Sequence, residues 1–165
     1  GIVLVGFSMG GLMAALAAAN QPAGALDGVV LVNAPAELRS FARDTAFGGA
    51  RRYLEKTLQP RQWQDSSPLN HADRLSHPLL VVVGTEDTMT PPDQGRRLAD
   101  AAPASALFEV AGMGHHPTHG EWAQILEAAD TQFDLGRVAK GWSLAVLTGD
   151  VGRTTFSGNI DLDTV

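Results

Sequence analysis

Four short aliphatic segments constrain the fold of this chain more than any other feature of its sequence. They are Ile2–Val5, Gly28–Val32, Leu79–Val83 and Ala106–Val110. Three of the four are almost uninterrupted aliphatic runs rather than alternating ones, which is typical of strands buried on both faces of a parallel sheet. Because helical segments fall between them, the sequence predicts an α/β fold, in which a parallel sheet carries helices on both faces.

Helix signals accompany these strands. Leu12–Asn20 is rich in small residues and can pack closely on a sheet. Pro92–Ala102 follows Thr90, which is a candidate N-cap. Glu121–Phe133 follows Thr118 with the T-x-x-E spacing of a capping box. We therefore predict a helix after the first, the third and the fourth strand.

The first strand runs directly into a glycine-rich turn, G-F-S-M-G-G at residues 6–11, with Ser8 at its tip. Such a turn holds the serine in a strained conformation, often with positive φ, and lifts its hydroxyl clear of the sheet. A Cβ at Gly6 or Gly10 would collide, because these positions come close together. The geometry predicts Ser8 as a nucleophile and the backbone N–H of Met9, at a helix N-terminus, as an oxyanion donor.

Two other interpretations of this turn are open. A phosphate-binding loop would need G-x-G-x-x-G or G-x-x-x-x-G-K-[ST], and residues 6–12 match neither pattern. A signal peptide would fit the apolar residues 1–19, with Ala17–Ala19 as the cleavage site, but the segment has neither a basic start nor an initiator methionine. The nucleophile interpretation is the one that explains the serine.

A serine nucleophile needs a base, usually histidine, and the histidine needs a carboxylate that fixes its tautomer. The third strand ends in G-T-E-D-T at residues 84–88. Ligands collect at this end of the strands in open α/β sheets. We predict Asp87 as the carboxylate, with Glu86 as the alternative. The structural alternative is that Asp87 merely binds its own backbone in a turn.

The fourth strand leads to G-M-G-H-H at residues 112–116. We predict His115 as the general base and His116 as the alternative. A metal site is a further interpretation, since His119 also lies nearby. Pro117 interrupts any helix there, so His115 and His119 do not share a helical face. No carboxylate falls at a familiar ligand spacing, and we expect neither a metal nor an organic cofactor.

Composition excludes several classes of function. The chain has no cysteine, so disulfides, thiolate metal sites and a cysteine nucleophile are excluded. Its net charge is −6 and its basic residues are scattered, so we expect no nucleic-acid partner. No apolar run approaches the ~20 residues of a membrane span. We expect a cytoplasmic protein.

Two segments do not follow the alternation of strand and helix. We interpret Ala36–Ser76 as a lid-like insertion of one or two amphipathic helices that lie over the site and line an apolar acyl or leaving-group pocket. A plain crossover helix is the alternative. The tail, residues 136–165, has no assigned role, although Arg153–Phe156 and Ile160–Leu162 have the pattern of a hairpin.

The order serine, aspartate, histidine, each just after a parallel strand, resembles the C-terminal half of an α/β-hydrolase. The resemblance covers residues 1–135 and includes esterases, dienelactone-hydrolase-like enzymes and prolyl-oligopeptidase-like serine peptidases. It rests on G-F-S-M-G-G at 6–11, G-T-E-D-T-M-T-P-P at 84–92 and G-M-G-H-H at 112–116. By this resemblance Ser8 is the nucleophile, His115 the general base and then acid, and Asp87 the orienting carboxylate, with one oxyanion donor at Met9.

The same resemblance also concerns the strands that come before the glycine-rich turn in this family. In the family several strands precede the glycine-rich turn of the nucleophile, together with the loop that carries the second oxyanion donor. We therefore expect an α/β-hydrolase-like sheet that lacks its N-terminal strands, as a fragment or completed by another chain. The first strand would be an open edge through which the chain self-associates.

We expect a serine hydrolase that cleaves a carboxylic ester or related acyl bond of a small molecule through an acyl-enzyme intermediate. A prolyl-oligopeptidase-like serine peptidase would use the same triad and is the first alternative. A non-catalytic module of this fold, or an inactive fragment, is the second.

Overall fold

The computed structural model describes residues 1–135. The predicted hairpin at 153–162 lies outside the described residues. In chain order the elements are β1 (Val3–Phe7), α1 (Met9–Ala18), β2 (Gly28–Val32), α2 (Leu38–Asp44), α3 (Gly48–Thr57), α4 (Gln62–Asp65), a 3₁₀ helix (Pro68–Arg74), β3 (Leu79–Gly84), α5 (Asp93–Ala101), β4 (Ser105–Val110) and α6 (His119–Phe133).

The described strands form a single parallel sheet in the order β1-β2-β3-β4, which confirms the predicted α/β architecture. Every residue of β2 and β3 is buried, which explains their unbroken aliphatic sequences. β1 runs two residues further than predicted because Phe7 still pairs with Val32 of β2. β4 is partly exposed at the other edge of the described sheet, where Leu107 keeps 40% of its surface in solvent.

Helices cover both faces of the sheet, as predicted. On one face, α1 and Leu98 of α5 share an apolar cluster with Leu31 and Val81. On the other face, Ile125 of α6 packs in a second cluster with Val82. Because successive strand residues point to opposite faces, neighbours such as Val81 and Val82 supply the two cores.

Each of the three predicted helices begins at a different residue in the structure: α1 at Met9, α5 at Asp93 and α6 at His119. The capping box of α6 is confirmed: Thr118 Oγ1 accepts from the backbone N–H of Glu121 at 3.3 Å, and the carboxylate of Glu121 accepts from Thr118 N–H at 2.6 Å. The predicted N-cap of α5 is wrong. That helix begins at Asp93 with Pro92 at its N-cap position, and the backbone N–H of Thr90 donates to Asp87 Oδ1 at 2.8 Å.

The insertion, residues 36–76, holds four short helical segments rather than the predicted one or two helices. Pro60 separates α3 from α4, and Pro68 begins the 3₁₀ helix, so proline breaks the helical run twice. Phe41 of α2 and Leu54 of α3 pack with Leu12 of α1 in a third apolar cluster. This cluster packs the insertion against α1, the helix that begins at the glycine-rich turn of Ser8 (residues 6–11, the serine turn).

Among residues 1–135, the structure contains no helix with the length and apolar character needed to cross a membrane.

Candidate active site

Ser8 lies in a strained turn between β1 and α1. Its backbone has φ 54° and ψ −126°, a conformation that L-residues rarely adopt, as the turn sequence predicts. Its own N–H donates to Val32 O at 2.8 Å, which anchors the turn to β2. The Ser8 side chain makes no capping bond to α1, so its hydroxyl is available to other groups.

The turn closes so tightly that glycine is required on both sides of the serine. A Cβ on Gly6 would lie 2.6 Å from Gly10 O and 2.8 Å from Ala14 Cβ, which confirms the steric reason for Gly6. Sequence reasoning missed Gly11, where a Cβ would lie 2.6 Å from Ala34 Cβ. The pair Gly10-Gly11 was the sequence signal that could have indicated this close approach. The collision predicted for a Cβ on Gly10 itself stays a prediction.

The structure brings the three predicted side chains together in one hydrogen-bonded chain. His115 Nε2 lies 3.0 Å from Ser8 Oγ, and His115 Nδ1 lies 2.8 Å from Asp87 Oδ2. The side chain of His115 is 8% exposed and that of Asp87 is fully buried. A neutral imidazole that donates from Nδ1 to the carboxylate leaves the Nε2 lone pair free to accept from the serine hydroxyl.

Asp87 uses its two oxygens for different tasks. Oδ1 accepts from the backbone N–H groups of Met89 and Thr90, both at 2.8 Å, while Oδ2 contacts the imidazole. Asp87 therefore makes the backbone bonds of the turn interpretation and, with its other oxygen, the contact to the imidazole that the triad interpretation requires. Because the backbone bonds fix Oδ1, they also fix where Oδ2 lies.

The two alternative site residues lie outside the chain of hydrogen bonds. The side chain of Glu86 is exposed, and its backbone N–H donates to Met113 O at 3.0 Å. His116 is also exposed, and its ring stands edge-on to that of His115 with centroids 5.0 Å apart. Phe7, whose role the sequence did not indicate, packs its ring 5.1 Å from the imidazole of His115.

The insertion reaches the loop that carries the carboxylate. Thr45 Oγ1 donates to Met89 O at 2.6 Å, and Ala46 N–H donates to Thr88 O at 2.9 Å. The side chain of Met9, next to the serine, packs against the apolar cluster of the insertion. The insertion therefore supports both the loop between β3 and α5 that carries Asp87 (residues 85–92, the acid loop) and the start of α1.

No group of three or more potential metal ligands lies close together within the described part of the chain. Both ring nitrogens of His115 already face Ser8 and Asp87.

Many solved structures share this fold, and three of them show the range of these neighbours. A puromycin-hydrolyzing peptidase of Mycobacterium tuberculosis is 24% identical with a TM-score of 0.66, and the match covers 79% of this chain and 20% of that one. The acylaminoacyl peptidase of Pyrococcus horikoshii is 17% identical with a TM-score of 0.64, over 86% of this chain and 25% of that one. An esterase from Rhodococcus sp. ECU1013 is 21% identical with a TM-score of 0.55, over 81% and 66%.

This chain thus spans a fifth to a quarter of the length of the two peptidases. No curated protein sequence matches it significantly. The model of the prolyl oligopeptidase family matches residues 1–106, which include the serine turn and the acid loop. By that match and by its four-stranded parallel sheet, the chain belongs to the prolyl oligopeptidase family of the α/β-hydrolase superfamily.

Proposed function

We propose that the chain carries the catalytic centre of a serine hydrolase, with Ser8 as nucleophile, His115 as base and acid, and Asp87 as the orienting carboxylate. The observation that carries this proposal is the unbroken contact from Asp87 Oδ2 through the imidazole to Ser8 Oγ, at 2.8 and 3.0 Å. A nucleophile, a base and an orienting group in this relation form the template of nucleophilic acyl transfer.

In the first step Ser8 Oγ attacks the carbonyl carbon of the substrate, and its proton passes to His115 Nε2. The resulting imidazolium is stabilised by the carboxylate of Asp87. Negative charge develops on the carbonyl oxygen, where the backbone N–H of Met9 can donate. Met9 is the first residue of α1, so its N–H belongs to a helix terminus with partial positive charge. One such donor contributes about 10²–10³ to the rate.

The tetrahedral intermediate then collapses. The bond to the leaving group breaks, His115 returns the proton to the leaving nitrogen or oxygen, and the acyl group remains on Ser8. Water subsequently gives a proton to His115 and attacks the acyl carbon. The second tetrahedral intermediate collapses, His115 passes that proton to Ser8 Oγ, and the acid is released. By the family resemblance, the second oxyanion donor belongs to a segment that precedes the serine turn in the sequence.

A peptide or other amide bond is the better supported substrate class. Membership of the prolyl oligopeptidase family favours it, as do the neighbours named as peptidases. Carboxylic ester cleavage, the first expectation from sequence, is the second candidate and draws support from the esterase neighbour. We further propose that the substrate is a peptide or a small acyl compound, that the reaction uses no organic cofactor, and that the protein is cytoplasmic.

A matched substrate pair tests the proposal and separates its two branches. The same N-protected amino acid is offered as its p-nitroanilide, an amide, and as its p-nitrophenyl ester. We expect release of the chromophore from both, and no release above background by the Ser8→Ala variant. Cleavage of the ester alone would assign an esterase. Hydrolysis that survives in Ser8→Ala would contradict the assignment of the nucleophile.

A further inference from the structure

Asn33, the residue that follows β2, is buried and strained at the same edge of the sheet as the triad. It is 1% exposed, and its φ is 48°, in the left-handed region. Asparagine tolerates that region better than most residues, yet a non-glycine residue there is uncommon. Strain of this kind at a buried polar residue is a reason to ask what its side chain holds.

The amide of Asn33 joins two loops that are distant in sequence. Its Oδ1 accepts from the backbone N–H of Gly84 at 2.8 Å. Its Nδ2 donates to His115 O at 2.8 Å and to Gly114 O at 3.1 Å. Both amide protons are used, and the opposite orientation of the amide would place its oxygen against two carbonyl oxygens. The hydrogen-bond network therefore allows one orientation only.

These bonds connect the acid loop to the loop between β4 and α6 that carries His115 (residues 111–118, the histidine loop). Gly84 ends β3, and its carbonyl oxygen accepts from Asp87 N–H at 3.2 Å. A Cβ on Gly84 would lie 2.3 Å from Met113 O, so the two loops are already in close contact there. Asn33 holds the same pair of loops from the side of β2.

The preceding residue completes the connection. Val32 O accepts the N–H of Ser8 at 2.8 Å, so the dipeptide Val32–Asn33 contacts all three segments that carry the triad. The backbone of β2 holds the serine turn, and the side chain after it holds the main chain of His115. The Ser8–His115 separation is thus set through two consecutive residues.

We propose that Asn33 is a positioning residue that fixes the main chain of His115 and thereby the reach of its imidazole to Ser8. This inference rests on the proposed function of the triad. Misplacing a catalytic group by about 1 Å can cost about 10²-fold in rate. Asn33 itself touches no reacting atom and acts through the histidine.

Two variants of Asn33 test the proposal. Asn33→Gly removes the amide but accepts the positive φ, so backbone strain is not added. Asn33→Asp keeps the shape and the bond to Gly84 but places an acceptor against the carbonyls of Gly114 and His115. Each should lower kcat on the p-nitroanilide and p-nitrophenyl ester pair by about 10–10²-fold, with KM changed by less than about threefold. Asn20→Gly, at an exposed asparagine whose side chain donates to Leu16 O, should leave kcat unchanged.

A double-mutant cycle separates positioning from a general structural role. Fluorophosphonate labelling is timed in the wild type, Asn33→Gly, His115→Ala and the double variant. If Asn33 acts through the imidazole, its loss slows labelling only while His115 is present, so the two effects are strongly non-additive. An equal slowing in the His115→Ala background would overturn the proposal.

The remaining outcomes are also decisive. A folded Asn33→Gly or Asn33→Asp variant with wild-type kcat overturns the positioning role and leaves the proposed function intact. Loss of the near-UV circular dichroism signal in both variants assigns Asn33 to folding and overturns the proposal too. A wild-type chain that is neither labelled nor active overturns the proposed function, and the inference with it.

Discussion

The carboxylate of Asp87 contacts both its own loop and the imidazole of His115. Oδ1 is held by two backbone N–H groups, so only Oδ2 can face His115. In Asp87→Asn the amide oxygen should keep the Oδ1 position and turn its NH₂ toward Nδ1. Nδ1 would then have to accept, Nε2 would carry the proton, and the imidazole could not receive the proton of Ser8.

We therefore predict that Asp87→Asn lowers kcat by about 10⁴-fold, the loss seen when a triad carboxylate is neutralised. Steady-state hydrolysis of the p-nitrophenyl ester measures it. Glu86→Gln is the matched control, because Glu86 is the adjacent acid but is exposed and lies outside the triad. A loss of less than tenfold in Asp87→Asn, or a comparable loss in Glu86→Gln, would contradict the assignment.

Local signals in the sequence indicated the three side chains that meet in the structure, and no such signal marked the residues that support them. Ser8, Asp87 and His115 each follow an apolar strand and have a glycine within three residues, so a single window of sequence indicates each of them. Asn33 follows a strand too, but its side-chain partners lie 51 to 82 residues away in the chain. Only the folded sheet brings such partners together, so no local pattern could indicate its role.

Among the elements, the strands were predicted best and the insertion least well. Burial on both faces imposes continuous aliphatic runs on β2 and β3, and few other structures produce that pattern. The insertion contains short helices whose ends are set by proline and by contacts with α1 and the acid loop. Helices this short have weak periodicity, so their number could not be read from the sequence.

The start of α2 provides a pH-dependent contribution to stability. Burial of the Glu37 carboxylate opposes its ionisation, but bonds from the backbone N–H groups of Ser40 and Arg39 outweigh this, so the pKa of Glu37 is lowered from its ordinary 4.5. The folded state then holds the proton less tightly than the unfolded state. The stabilisation is complete above the unfolded-state value and is lost as the pH falls through the lowered pKa.

Glu37→Gln should accordingly lower the free energy of unfolding at pH 7 by about 1 kcal/mol, the usual contribution of an N-cap. The difference from the wild type should shrink as the pH falls below 4.5. Urea denaturation at a series of pH values measures both. A difference that stays constant with pH would show that the charge of the cap contributes nothing.

The packing of α5 on β3 depends on Gly95. A Cβ there would lie 2.2 Å from Val83 Cγ1 and 3.1 Å from Val81 Cγ1, and both valines are buried. We predict that Gly95→Ala lowers the free energy of unfolding by about 1–3 kcal/mol, as overpacking of a core does. The control is Gly120→Ala in α6, where a Cβ meets no atom within 4 Å.

Because alanine is the better helix former, Gly120→Ala should match or exceed the wild type by up to about 1 kcal/mol. Thermal or urea denaturation of the two variants side by side provides the comparison. Equal effects at the two glycines would mean that helix propensity, rather than contact with β3, governs both positions.

For the molecule as a whole, β1 is the open edge of the described sheet, since it pairs with β2 alone. An unpaired strand edge is a template for pairing with another chain. We predict that the chain self-associates through this edge, with sedimentation that depends on concentration. Ile2→Lys places a charge beside the edge and should shift the chain toward the monomer.

Met13→Lys is the control, because Met13 lies on α1 and is as exposed as Ile2, both at 62%. The two variants add the same charge and remove similar apolar surface. Analytical ultracentrifugation over a range of concentrations distinguishes them. If both variants, or neither, reduce self-association, the edge of β1 is not its site.

We infer above all that the hydroxyl of residue 8 is activated by the imidazole and carboxylate brought to it by two other loops. Mapping a fluorophosphonate adduct by peptide mass spectrometry tests this most directly. We predict one adduct, on Ser8, that is absent from Ser8→Ala and forms at least about 10²-fold more slowly in His115→Ala. An adduct on another residue, or one on Ser8 that forms equally fast without His115, would contradict the account.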